Sequence, residues 1–271
     1  MKPNEKKLNS FRQGRIKARA ESRKQLVLRN NLEKRFYKRL NTLFRKFVNV
    51  QMHLYKEYGL YNPNIATISL NEDFMPLVLV HYRKTFQAIY KLNEDKYYNE
   101  KKEAYVFGRS QDFEKIVNDY FNTRQLILAG ITQRMANRIS NLIEQGRAEN
   151  LTLPQIAKLV SDKILPISRS RAALIARTET HNAASFSNHS YHITVQQDLG
   201  IKMLKKWVST VDARTRSTHA AANGQTVDMD EKVLVGGAEM EFAGDSAGGA
   251  KNVVNCRCVI IYADERDIVL D

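Results

Sequence analysis

The sequence predicts an α+β protein: a mostly helical N-terminal two-thirds with long amphipathic helices, then a small mixed α+β module with a short sheet. Three observations predict it. Apolar residues recur at three- or four-residue spacing from Leu28 to Ala183. Eighteen of the 24 aromatic residues fall between Phe36 and Phe121, on those periodic stretches. Seven of the 12 glycines lie in the last 72 residues, where that spacing stops and short β-branched runs begin.

The first helix is read from Leu28, Leu32, Phe36, Leu40, Phe44, Phe47, Gln51, Leu54 and Tyr58, with Arg29, Lys34, Arg35, Lys38, Arg39, Arg45 and Lys46 on its other face. Gly59 and Asn62-Pro63-Asn64 end it. Ser69-Leu-Asn-Glu72 has capping-box spacing and predicts the start of a second helix through Phe74, Val78, His81, Phe86 and Tyr90, with Pro76 in its first turn. His53 and His81 read as core or boundary histidines. A polar, Tyr-rich connector runs from Lys91 to Gly108. A third helix covers roughly 111–146, on a stripe of Phe113, Ile116, Val117, Tyr120, Ile127, Ile131, Met135, Ile139 and Leu142. Thr152-Leu-Pro-Gln155 caps a fourth, which Pro166 ends, and Ser168 opens a fifth. The domains expected are a basic flexible arm at 1–25, a helical domain at 26–165 and an α+β module at 166–271.

In that module, Lys202–Ser209 is a short strand around the lone Trp207, and Asp212 caps a short helix that stops at Asn223-Gly224. One or two strands fall in 225–235, Gly236–Gly249 is loop, and Val253–Tyr262 is a buried strand.

Charge is segregated along the chain. The net charge is +14, and residues 1–48 hold sixteen Lys and Arg against three acids. The remainder is nearly neutral. Such a segment suits a polyanion, because each phosphate neutralised releases counterions. Lys6, Lys7, Arg12, Arg15, Lys17, Arg19, Arg23, Lys24, Arg35, Lys38 and Arg39 are the candidate contacts to double-stranded DNA, sequence-nonspecific since no element is built to read bases. An acidic protein partner is the alternative. No run approaches the length of a membrane span or a signal-peptide core, so no membrane contact is expected. Two cysteines, Cys256 and Cys258, exclude a disulfide framework.

Arg177-Thr178-Glu179-Thr180 on a helix, the Trp207 strand, Asp212-Ala-Arg214-Thr215-Arg216-Ser-Thr-His219 and then Asn255-Cys256-Arg257-Cys258 before a last strand form an ordered signature. It resembles the Mu F-like domain of phage minor head (head morphogenesis) proteins, over roughly 120–265. The resemblance implies a non-enzymatic virion component that associates with portal, scaffold or major capsid protein, resides inside the head, and assembles in the host cytoplasm, with no small-molecule substrate. Two positions depart from the family pattern: Val253-Val254 stand where many members have His-Pro, and Arg216 where many have cysteine. Both departures remove possible metal ligands.

The residues leave several chemistries open. On a strand, Cys256 and Cys258 share a face and could hold zinc with His219 and Asp212, or simply pack as small buried thiols with no cofactor. The same four residues would serve a metal-dependent hydrolase or nuclease; a purely protein-binding adaptor is the other alternative. Asp212 with Arg214 reads equally as a cap and ion-pair network, with Glu179 a structural partner for Arg214 or Arg257. His181, His189 and His192 cluster on one helix and are expected at exposed positions rather than on a metal. Ser209-Thr210 with Glu239-Met-Glu241 faintly resembles elements of ADP-ribosyltransferases, but the chain has no room for a separate transferase domain.

Overall fold

The computed structural model describes residues 3–97, 110–210 and 212–265, with side chains from Ala20 to Glu94 and from Asp112 onward. Long helices fill the N-terminal part and a few short antiparallel strands the C-terminal part. The chain divides into two compact units, Met1–Leu32 with Thr85–Phe107 and Thr178–Asp271, and Glu33–Lys84 with Gly108–Arg177. Among the described residues, no helix is long and apolar enough to cross a membrane.

The second of these units is built on α1 (Pro3–Tyr58), α2 (Pro63–Tyr97), α3 (Ser110–Ala148) and α4 (Leu153–Leu199). Its α1 stripe is Phe36, Leu40, Phe44, Val48, Met52 and Tyr55, while Leu54 and Tyr58 are exposed. The expected stripe drifts off the buried face after Phe47, because a 3.5-residue spacing rotates against a 3.6-residue helix. His53, expected at a core or boundary position, is exposed as well. On α3 the buried positions are Val117, Phe121, Leu128, Ala136, Ile139 and Ile143, with Ile127 turned outward. Ring contacts join Phe44 to Phe74 at 6.0 Å and Tyr82 to Tyr120 at 5.0 Å, edge-on. Arg83 grips Glu114 with both carboxylate oxygens, at 2.8–3.0 Å.

α1 ends at Tyr58, as Gly59 predicts, but other helix boundaries differ from the expectation. The basic segment has helical backbone from Pro3. Asn62-Pro63-Asn64 starts α2: the Asn62 Oδ1 accepts from the N–H groups of Asn64 (2.9 Å) and Ile65 (3.3 Å), and Pro63 takes the first helical position. Ser69 and Pro76 therefore lie inside α2. Its last turns, to Tyr97, occupy part of the expected connector, and 98–109 falls outside the described residues. Likewise α4 runs through Pro166, and Ser168, read as a start, donates to the Leu165 carbonyl at 2.9 Å. A helical proline costs about 3 kcal/mol. Burial of Val160, Ile164, Ala172 and Ile175 on either side of Pro166 offsets it. At the Thr152–Gln155 start the Gln155 Oε1 accepts from the Thr152 N–H at 2.8 Å, the return half of the predicted box, and from the Thr152 hydroxyl at 2.8 Å.

The first unit carries a three-stranded antiparallel sheet in the order β2–β1–β5, with β1 (Met203–Val208) between β2 (Thr226–Asp228) and β5 (Val259–Asp264). Trp207 pairs with Ile260 and Lys205 with Tyr262. A separate two-stranded ribbon joins β3 (Val233–Val235), in the stretch expected to hold strands, to β4 (Ala238–Met240), in the stretch expected as loop. Two short helices, α5 (Ser217–Ala221) and α6 (Gly249–Val253), complete it. The predicted last strand is shorter than expected, because α6 and a turn occupy 249–255.

His81 yields a prediction for the helical unit. Its ring stacks on Phe36 at 3.8 Å, and burial, then the charge of Arg39, lowers its pKa from 6.5 to about 3. The neutral ring is therefore favoured by folding. Its contribution is full above about pH 6.5 and is lost as pH falls towards 3. A His81→Phe chain should lose less melting temperature than the parent between pH 6.5 and 4; an identical pH slope contradicts this.

Candidate functional site: a buried thiol–imidazole cluster

Helix α4 enters the first unit at Thr178 and is buried on nearly every side to His192. The expectation of exposed histidines fails here, since His181, His189 and His192 are all buried. Each has a local partner. The His192 ring stacks on Tyr262 at 4.2 Å, and its Nδ1 donates to the Asn188 carbonyl at 2.7 Å. The His189 Nδ1 lies 3.2 Å from the Tyr262 hydroxyl. The Asn93 amide donates to the Asn188 Oδ1 at 2.8 Å.

Around His181, four other segments converge. α5 supplies His219, and the extended residues just before β5 supply Cys256 and Cys258, all three buried. The cysteines are thus not on the strand itself. The His219 Nδ1 lies 3.3 Å from the Cys258 Sγ and 3.6 Å from the Cys256 Sγ. β1 supplies Trp207, fully buried, whose indole meets the His219 ring edge-on at 5.8 Å. α1 supplies Arg29, expected on the outer cationic face but buried, 5% exposed. Its Nη1 donates to the Cys258 carbonyl at 3.2 Å and lies 3.1 Å from the His181 Nδ1.

Electrostatics separate the two thiols. The hydrogen bond from Cys258, then the His181 and His219 rings, holds Cys256 well below the ordinary thiol range. Cys258 is pushed up, first by giving that hydrogen bond and then by burial. Burial lowers the His181 pKa and brings Arg29 down to about 10, while the charges of Cys256, Tyr262 and Cys258 favour its protonated form. The site is a pair of thiols, the Cys256 sulfur favoured over Cys258 to lose its proton, beside a buried guanidinium and two imidazoles.

The remaining signature residues frame this cluster. Asp212, expected as a helix cap and a metal donor, is neither: α5 begins after Arg216, and the Asp212 carboxylate takes both Arg257 nitrogens at 2.6 and 2.7 Å. Arg214 also faces it, at 3.5 Å. Glu179 is buried on α4, and the carboxylate shared by the two arginines is Asp212. Asn255 adopts φ 61 and donates its N–H to the Thr178 Oγ1 at 3.2 Å. Arg177 belongs to the other unit, where it bonds Glu33 at 3.1 Å. Of the transferase-like elements, Thr210 donates to the Arg257 carbonyl at 3.0 Å, and Glu241 is a surface residue 3.8 Å from the His189 Nε2. Of the cationic candidates, Arg23, Lys24, Arg35, Lys38 and Arg39 are exposed on α1, whereas Lys6, Lys7, Arg12, Arg15, Lys17 and Arg19 precede the described side chains. Sequence reasoning missed Arg29 and His181. An arginine spaced among the apolar positions of α1 was the available signal for the first.

The module is a small antiparallel sheet, a helix buried through its polar stretch and an Asn-Cys-Arg-Cys segment beside both. Residues 133–261 match the family described as Phage Mu protein F like protein. It is 32% identical over 139 residues to minor head protein GP7 of Bacillus phage SPP1, covering 49% of this chain and 42% of that protein. It is also 32% identical over 127 residues to an NAD(+)–arginine ADP-ribosyltransferase, EFV, of Enterococcus faecalis, covering 47% of this chain and 26% of that protein. The chain thus spans less than half the length of these relatives. No solved structure gives a significant match.

Two residues of the frame can be tested by substitution. Gly244 sits at φ 97, and an added Cβ would collide with the Asn182 amide oxygen on α4 and come within 3.0 Å of the His181 ring. Gly244→Ala should cost on the order of 2 kcal/mol or more in urea unfolding; an unchanged midpoint contradicts the close approach. The Arg257 hydrogen bonds hold the Asp212 carboxyl below its usual 3.8. That stabilisation is present above about pH 4 and is lost as pH falls. In Asp212→Asn, urea midpoints measured at pH 5 and pH 3 should differ less than in the parent.

Proposed function

We propose that this chain is a minor head component of a phage that works by binding rather than by turnover. The observation that carries this reading is the family match over 133–261, together with the 32% identity to a minor head protein. As a head component it would contact other capsid or head proteins inside the virion, with the portal, scaffold and major capsid protein as candidate partners. The position of Asp212 supports a non-enzymatic role: its carboxylate is held by Arg257 and is no part of the thiol–imidazole cluster, leaving the proposed hydrolase without its acid.

The cationic face supplies the mechanism. Lys34, Arg35, Lys38, Arg39, Arg45 and Lys46 are exposed along α1, and the segment before them adds Lys6, Lys7, Arg12, Arg15, Lys17, Arg19, Arg23 and Lys24. A helix with charges on one side can lie along packaged duplex DNA and contact phosphates without reading bases. An acidic surface on another head protein is the second reading, favoured by exposed Leu54, Tyr58, Leu60, Ile65 and Ile68 where α1 turns into α2.

Equilibrium binding to random-sequence duplex across a salt series separates the two. On the DNA reading the chain binds at low salt, and neutralising Lys34, Arg35, Lys38 and Arg39 to glutamine flattens the log–log salt slope by about 0.9 for each phosphate no longer neutralised. No binding at low salt, or an unaltered slope, overturns it.

A further inference from the structure

We propose that His219, Cys256 and Cys258 form a binding site for a soft divalent metal ion of the zinc type, with His181 and Arg29 as its outer partners. The three ligand atoms lie within 4.8 Å of one another, and all three side chains are buried. Their spacing is that of a coordination shell. Around a tetrahedral zinc, bonds of about 2.3 Å to sulfur and 2.0 Å to nitrogen place neighbouring sulfur and nitrogen about 3.6 Å apart. The His219 Nδ1 stands 3.3 and 3.6 Å from the two sulfurs. Two thiolates and a neutral imidazole are the donor set that such an ion prefers.

The outer partners have assignable roles. Arginine can only donate, so the Arg29 Nη1 at 3.1 Å makes the His181 Nδ1 an acceptor and leaves the proton of the neutral ring on Nε2. The His181 Nε2 is buried without a hydrogen-bond partner among the described residues, so its N–H is available to a metal-bound thiolate. His181 stands outside the group of three ligand atoms, a neighbour rather than a ligand, and Arg29 also fixes the Cys258 main chain through its carbonyl. Asp212, held by Arg257, supplies nothing to the site. The protein gives three donors and leaves a fourth coordination place for an outside ligand.

The test uses the full-length chain, prepared reduced and stripped of metal, then titrated with Zn(II) and, separately, with Co(II) as a spectroscopic probe. The expected result is one equivalent bound, a thiolate-to-cobalt charge-transfer band, strong tetrahedral visible bands, and a higher melting temperature with zinc. Cys256→Ser, Cys258→Ser and His219→Gln should each abolish the cobalt spectrum, and circular dichroism reports whether each still folds. His181→Gln should retain the spectrum with affinity about 10–100-fold weaker. Complete loss in His181→Gln would overturn its outer role. A parent chain that gives no cobalt–thiolate band and no thermal shift with zinc overturns the site, whatever the variants do.

Discussion

The stretch of α4 from Thr178 to His192 is the constraint on which the C-terminal unit depends. A helix buried on nearly all sides is ordinarily apolar. This one carries three histidines, two asparagines and several hydroxyls into the interior. Polar groups buried without partners cost about 1–3 kcal/mol each. His181, Asn188, His189 and His192 are met from elsewhere in the unit, while the side chains of Asn182, Ser185 and Ser187 have no hydrogen-bond partner among the described residues. Tyr262 serves both His189 and His192; Asn93 serves Asn188; Arg29 serves His181. Through these contacts the sheet, the start of α1 and the end of α2 are fastened to one helix.

The same requirement explains why the cluster is assembled from distant pieces. Arg29 and Cys258 are joined although 229 residues separate them in sequence. A buried guanidinium needs an anion or a dense set of acceptors, and here it meets a carbonyl and an imidazole nitrogen, with the charge of the Cys256 thiol favouring its protonated form. The Asp212–Arg257 pair, on the rim, keeps the cysteine segment in register against the turn leaving β1. Of the ordered signature, Thr178, Trp207, Asp212, His219, Asn255 and the two cysteines with Arg257 build and frame this interior, while Arg177 lies in the other unit.

Much of the architecture was legible in the sequence, because apolar spacing reports helices and glycine-rich, β-branched runs report small sheets. The Trp207 strand and the Thr152–Gln155 cap appear where the pattern put them. The end of α1 at Gly59 was legible, but the start of α2, read at Ser69 with Pro76 in its first turn, and the break read at Pro166 were misplaced, since local signals say nothing about the packing that offsets a helical proline. Burial of Arg29 and of the α4 histidines was illegible for a related reason: polarity predicts exposure unless partners far along the chain are known. Asp212 was read correctly as a member of an ion-pair network but wrongly as a helix cap, because the choice between cap and turn is made by Arg257, 45 residues away.

Native-state amide hydrogen exchange on the full chain tests most directly whether the polar interior of α4 organises this unit. The account requires the amides of 178–192 to be among the slowest to exchange, and to open together with β1 and β5 in one cooperative event. Exchange of 178–192 by local opening, while β1 and β5 stay protected, would contradict it.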